Sequence, residues 1–149
     1  MTLSRRTLLT ASASTALATF FGSGRVFAEA ADITEVIEAF TSGTEAGEGA
    51  FTLTTPEIAE NGHSVPVSVL VESPMTEDDY VESVLILAEE NPLPEVVTFH
   101  FTPMSGEAKA STRMRLAKTQ DVVALAKLSN GQIYKASNNV KVTIGGCGG

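Results

Sequence analysis

Val65-Pro66-Val67-Ser68-Val69-Leu70-Val71 decides the fold of this chain. A period of two places the four valines on one face of an extended strand, with Pro66, Ser68 and Leu70 on the other. Proline brings no N–H to a ladder, so Pro66 belongs near the start of that strand or on a sheet edge. Further along, Val97, Phe99 and Phe101 alternate with Thr98, His100 and Thr102, and Thr112, Met114 and Leu116 alternate with Ser111, Arg113 and Arg115. Val81 to Ala88 is continuously apolar, which suits a strand covered on both faces. Val122 to Leu128 reads as another strand, and Asn130-Gly131 is a hairpin signal leading into Ile133 to Ala136. Asn138-Asn139 predicts one more turn before a last strand with Val140, Val142 and Ile144 facing inward. About seven short strands with turns every eight to twelve residues predict an antiparallel β-sandwich of immunoglobulin-like type. Strands and helices do not alternate, so a parallel α/β sheet is disfavoured.

One short helix precedes the strands. Ile33, Val36, Ile37 and Phe40 fall on one face of a helix from Asp32 to Phe40. Asp32 with Glu35 resembles a capping box, and Gly43 is a natural stop. Thr41 to Gly49 is small, polar and glycine-rich, and reads as a linker.

Composition narrows the function classes. Of 149 residues, 43% are hydrophobic and 19% charged, a globular rather than a disordered balance. A formal net charge of −8 disfavours binding to phosphate backbones, so nucleic acid is not an expected partner. No apolar run is long enough to predict a membrane-spanning helix. Residues 1–30 read as an export leader: Ser4-Arg5-Arg6-Thr7-Leu8-Leu9 resembles a twin-arginine signature, a weakly apolar stretch follows to Phe21, and Ala28-Glu29-Ala30 supplies small residues for cleavage. Removal of that leader takes away three arginines and one glutamate, moving the formal charge from −8 to −10. The expected organisation is a leader over 1–30, a sandwich domain over 31–144 and a flexible arm over 145–149. The expected location is the periplasm, an oxidising compartment.

The arm carries the candidate chemistry. It reads Gly145-Gly146-Cys147-Gly148-Gly149, and Cys147 is the only cysteine, so an internal disulfide is excluded. The glycines present no side chain to pack, and five extended residues reach about 16 Å. A thiol on such an arm is able to enter a narrow active site. No basic side chain or helix start lies beside Cys147 in sequence, so an ordinary thiol is expected, with only a few per cent thiolate at neutral pH. That suits an attachment point whose chemistry is supplied by other proteins. Two other uses stay open on these residues alone: a disordered end that happens to hold a cysteine, and an interchain disulfide between two copies.

The ending Val140-Lys-Val-Thr-Ile-Gly-Gly-Cys-Gly-Gly149 resembles the C-terminus of the SoxY family, sulfur carriers of the periplasmic thiosulfate-oxidising Sox system. The similarity continues through Thr98-Phe-His-Phe-Thr-Pro103, Ser111-Thr-Arg-Met-Arg-Leu-Ala117 and Pro56-Glu-Ile-Ala-Glu-Asn-Gly62. This resemblance implies an immunoglobulin-like carrier that is not itself an enzyme, holds no cofactor or metal, and pairs with a SoxZ-like β-sandwich subunit as a heterodimer. It implies that Cys147 is joined to thiosulfate by a haem enzyme as a cysteine S-thiosulfonate. Sulfate is then released by a hydrolase, and the remaining sulfur oxidised by a sulfane dehydrogenase where one is present.

Other residues carry weaker signals. His63 and His100, the only histidines, supply too few ligands for a metal. Arg113 and Arg115 share a strand face and are candidates to meet an anion or an acidic partner, against the plainer reading of a solvated face. Met75, Met104 and Met114 read as loop and core residues, and Glu77-Asp78-Asp79 as a solubilising surface. An adhesion module would keep the sandwich without needing Cys147, and a ubiquitin-like carrier would use the Gly149 carboxylate instead.

Overall fold

The computed structural model describes residues 32–146. The expected leader and Cys147, Gly148 and Gly149 therefore lie outside the described residues. Helix α1 spans Ile33–Thr41, and the Asp32 carboxylate accepts the Thr34 N–H at 2.9 Å. The helix ends where Ser42 and then Gly43 turn left-handed, with φ of 52° and 78°.

Nine strands follow: β1 Ala46–Gly47, β2 Phe51–Thr54, β3 Ile58–Asn61, β4 Val65–Val71, β5 Val81–Ala88, β6 Glu95–His100, β7 Ala108–Met114, β8 Gln120–Leu128 and β9 Ile133–Ile144. The larger sheet runs β1-β9-β8-β5-β6, with β3 also joined to β9; the smaller runs β2-β4-β7. All pairs are antiparallel except the short parallel pairings of β1 and β3 with β9. The two sheets form the β-sandwich that the alternating sequence predicts.

The opening stretch explains how the sheets meet. Val65, Val67, Val69 and Val71 of β4 are buried in one cluster with Val84, Ile86 and Ala88 of β5 and Val122, Ala124 and Ala126 of β8. Pro66 is the second residue of β4, and pairing with β2 begins only at Ser68, so its missing N–H removes no bond on that side. The intervening residues of β5 and β8 serve a second core. Leu85, Leu87, Val123, Leu125 and Ile133 pack against Ile33, Val36, Ile37 and Phe40 of α1. The larger sheet is thus a middle layer between the helix and the smaller sheet, which is why β5 and β8 read as continuously apolar.

Three expectations need correction. The linker over 41–49 contains β1, and the stretch before β4 contains β2 and β3, all too short to show a period. No turn occurs at Asn138-Asn139; β9 runs unbroken for 12 residues. The two amides bridge to neighbours instead: Asn138 Nδ2 donates to the Leu53 carbonyl at 2.8 Å, and Asn139 Nδ2 donates to Asp121 Oδ1 at 2.7 Å. Finally, Val140 is buried but Ile144 is 65% exposed, because β9 outruns β8 at that end and only β3 accompanies it.

Candidate functional site

The last described residues, Gly145 and Gly146, immediately precede Cys147 in the chain. The expectation that nothing after Ile144 packs is wrong for this pair. Gly146 is buried, and its N–H donates to the Leu116 carbonyl at 2.9 Å. Leu116 N–H donates to the Gly62 carbonyl at 2.8 Å, and Gly62 N–H donates to the Ile144 carbonyl at 2.8 Å. Backbone hydrogen bonds therefore stitch together three segments far apart in sequence.

Their closeness depends on missing side chains. A Cβ on Gly62 would run into the Leu116 carbonyl oxygen and lie 2.6 Å from Gly146 N. A Cβ on Gly146 would lie 2.8 Å from the Gly62 oxygen, and one on Gly145 would strike the Ala117 carbonyl. Gly145 and Gly146 are therefore fitted into place rather than free.

A buried polar pair fixes the 115–118 segment of this platform. Asn91 Nδ2 donates to the Arg115 carbonyl at 2.8 Å, while Asn91 Oδ1 accepts from Ala117 N–H and from Gln120 Nε2, both at 3.0 Å. Gln120 Nε2 also donates to the Lys118 carbonyl at 3.1 Å, and Gln120 Oε1 accepts the Glu90 N–H at 2.9 Å. Asn91 and Gln120 are 7% and 3% exposed, so these bonds are made out of water, where losing one leaves an unpaired group. On the other side, an Asn61 side chain capping the His63 N–H at 2.9 Å shapes the β3–β4 turn that carries Gly62.

The charged neighbours sit on the solvent side. Arg113 Nη1 donates to the Ser64 carbonyl and hydroxyl, each at 3.1 Å, which ties the end of β7 to the β3–β4 turn. Arg115 is exposed next to Leu116, and His63 is exposed next to Gly62. A cleft of about 260 Å³ is lined by Asn91, Leu93, Glu95, Arg113, Met114 and Arg115. An open groove of about 650 Å³ lies on the outer face of the smaller sheet, between Thr54, Pro56, Pro66, Ser68, Ser111 and Arg113. Among the described residues no three His, Cys, Asp or Glu side chains converge as metal ligands, and His100 stands exposed at the end of β6. Met75 and Met114 are buried, whereas Met104 is 97% exposed on the 3-10 turn Pro103–Ser105.

The sequence flagged Cys147 and its glycines, Arg113 and Arg115. The residues it missed are Gly62, Asn91, Leu116 and Gln120. Gly62 had a local signal, since Asn61-Gly62 is a pair that favours turns. The buried Asn91–Gln120 pair had none, because all of its partners except the Lys118 carbonyl lie 24 to 30 residues away.

Comparison with known proteins bears on what this platform serves. The model of a family described as sulfur oxidation protein SoxY matches residues 37–147, a span that ends on the cysteine. The structure of the sulfur carrier protein SoxY from Chlorobium limicola f thiosulfatophilum is similar with a TM-score of 0.64 at 33% identity, covering 76% of this chain and 97% of that one. Superoxide reductases share the fold at lower identity. The neelaredoxin of Ignicoccus hospitalis gives a TM-score of 0.56 at 17% identity, covering 62% of this chain and 80% of that one. The enzyme of Nanoarchaeum equitans gives 0.52 at 13%, covering 64% and 96%. No curated protein sequence matches the chain. With the family match spanning the sandwich and the platform up to Cys147, this chain belongs to the SoxY family of sulfur oxidation proteins and has a sulfur-carrier role.

Proposed function

We propose that the chain carries thiosulfate-derived sulfur covalently on Cys147 and presents it to partner enzymes, without itself catalysing the reactions. The observation that supports this most is the placement of Gly146: the thiol belongs to the next residue after a backbone-fixed platform at one end of the sandwich. Loading removes two electrons, as Cys–SH and thiosulfate give Cys–S–S–SO₃⁻, a proton and two electrons, which pass to a haem enzyme. Hydrolysis by a second partner adds water, releasing sulfate and a proton and leaving Cys–S–SH. A sulfane dehydrogenase, where present, oxidises that remaining sulfur.

The protein needs no cofactor for this role, since each step's electrons and water are handled by the docked enzyme. Its stable partner is a SoxZ-like β-sandwich subunit, and its place is the periplasm, reached by the twin-arginine leader of residues 1–30. The domain then runs from residue 31 through the platform that holds Gly145 and Gly146, and Cys147 to Gly149 form the segment offered to partners, with Gly148 and Gly149 leaving room on the far side of the thiol.

Replacement of Cys147 by serine tests the reading in a reconstituted thiosulfate-oxidising system. The expected result is loss of thiosulfate-dependent turnover with an unchanged melting temperature, together with absence of the sulfur adducts that the parent protein is expected to show in intact mass spectrometry. Turnover retained by the serine variant would refute the carrier role of Cys147. Modification of the Gly149 carboxylate instead would point to the ubiquitin-like alternative.

A further inference from the structure

The described residues are strongly acidic, yet four of their seven cationic side chains (Lys109, Arg113, Arg115 and Lys118) lie in one ten-residue stretch that contains no carboxylate. Lys118 is paired with Glu90 at 2.6 Å, the only ion pair among the described residues. Arg113 and Arg115 have no carboxylate partner there. They line one cleft together, with Glu95 as the single carboxylate on its wall. Arg113 spends only Nη1 on Ser64, and a guanidinium has five N–H donors, so donors remain for a ligand.

The platform ties Gly146, the residue before Cys147, to the segment that carries these arginines. Gly146 is bonded to Leu116, the residue following Arg115, and the Cys147 Cα lies about 3.8 Å beyond the Gly146 Cα along the chain. Two separate observations thus converge: unpaired cations concentrated on an acidic protein, and a backbone bond that fixes the root of the thiol segment beside them. A sulfonate has three oxygens sharing one negative charge, a shape that guanidinium forks match.

We propose that Arg113 and Arg115 form an anion-recognition site for the sulfonate end of the group entering or carried on Cys147. This rests on the carrier reading above and adds a recognition step within the carrier itself. The site draws the anion towards the thiol and holds the charged end of the adduct beside the domain until a partner enzyme takes it.

Tetrathionate is a suitable probe, because the Cys147 thiolate displaces thiosulfate from it and acquires –S–SO₃⁻ directly, with no enzyme and no change in overall oxidation state. In the purified full chain, R113Q/R115Q is expected to slow this reaction about three- to tenfold at low ionic strength. The gap should close as salt approaches molar concentrations. R113K/R115K should recover most of the rate, and reaction with a neutral dipyridyl disulfide should stay within twofold in every variant. Equal slowing towards both reagents would overturn the proposal, since the arginines would then act only on the ionisation of the thiol. An unchanged tetrathionate rate would overturn it too. R115Q alone, which leaves the Arg113–Ser64 bonds in place, decides the matter if the double variant is unstable. Because no partner takes part, a failure here is distinct from a failure of the Cys147→Ser turnover test.

Discussion

The two ends of this molecule's architecture are built on opposite rules. Strands β5 and β8 are held by side-chain volume: Leu85, Leu87, Val123 and Leu125 fill the layer under α1, while Val84, Ile86, Val122 and Ala124 fill the layer under β4. The platform at Gly62, Leu116 and Gly146 is held by backbone hydrogen bonds, and a side chain on either glycine would break it. A core gains from bulk because each buried methylene stabilises it. A site that must present a thiol to other proteins gains from bareness, because backbone bonds fix position without occupying space.

The comparison is broken most strongly on its bulky side. Leu125→Ala should cost about 2–5 kcal/mol in denaturant unfolding, because Leu125 is fully buried between two layers that cannot both collapse onto the gap. A cost below 1 kcal/mol would mean that the helix layer is loosely packed. On the bare side, Asn91→Ala should cost about 1–3 kcal/mol, since it orphans the Ala117 N–H and part of the Gln120 amide in a buried setting. Hydrogen exchange at the Leu116 and Gly146 amides should accelerate more than exchange in β8. Uniform acceleration would show that the platform is not a separate unit.

Gly62→Ala gives the sharpest contrast, because it adds the kind of volume a core would welcome at a place that has no room for it. The expected cost is about 1–3 kcal/mol, with the Gly146 amide losing protection first. A stabilised protein would overturn the close-approach argument. The smallest effect belongs to Asp32. Its carboxyl is held below the ordinary value by the hydrogen bond it accepts from the Thr34 backbone N–H. A lowered folded-state pKa contributes stability that is present above the unfolded value of about 3.9 and is lost as pH falls through the folded one. Asp32→Ala should therefore remove a small increment of helix stability at neutral pH and leave acid-unfolded behaviour almost unchanged, as read by circular dichroism on acid titration.

Legibility in the sequence follows the same divide. Where burial depends on side-chain pattern, reading worked: the valines of β4, the two-sided β5 and the α1 stripe of Ile33, Val36, Ile37 and Phe40 all fall as expected. The hairpin at Asn130-Gly131 was also readable, since Gly131 takes a φ of 85° there. Where structure depends on hydrogen bonds between distant segments, reading failed. Gly145 and Gly146 looked free because nothing local can show that the turn at Gly62 and the Leu116 carbonyl will arrive beside them. Asn138 and Asn139 looked like a turn because their cross-links to Leu53 and Asp121 are equally remote.

The unbroken β9 has a mechanical consequence. Twelve extended residues make a rod about 40 Å long that starts at the hairpin and ends in the platform, where the Ile144 carbonyl accepts the Gly62 N–H. A partner tugging on the tail along that axis loads the rungs shared with β8 and β3 side by side, in shear, instead of peeling them one after another. The carrier can therefore be pulled upon at its tip without its sandwich being unzipped.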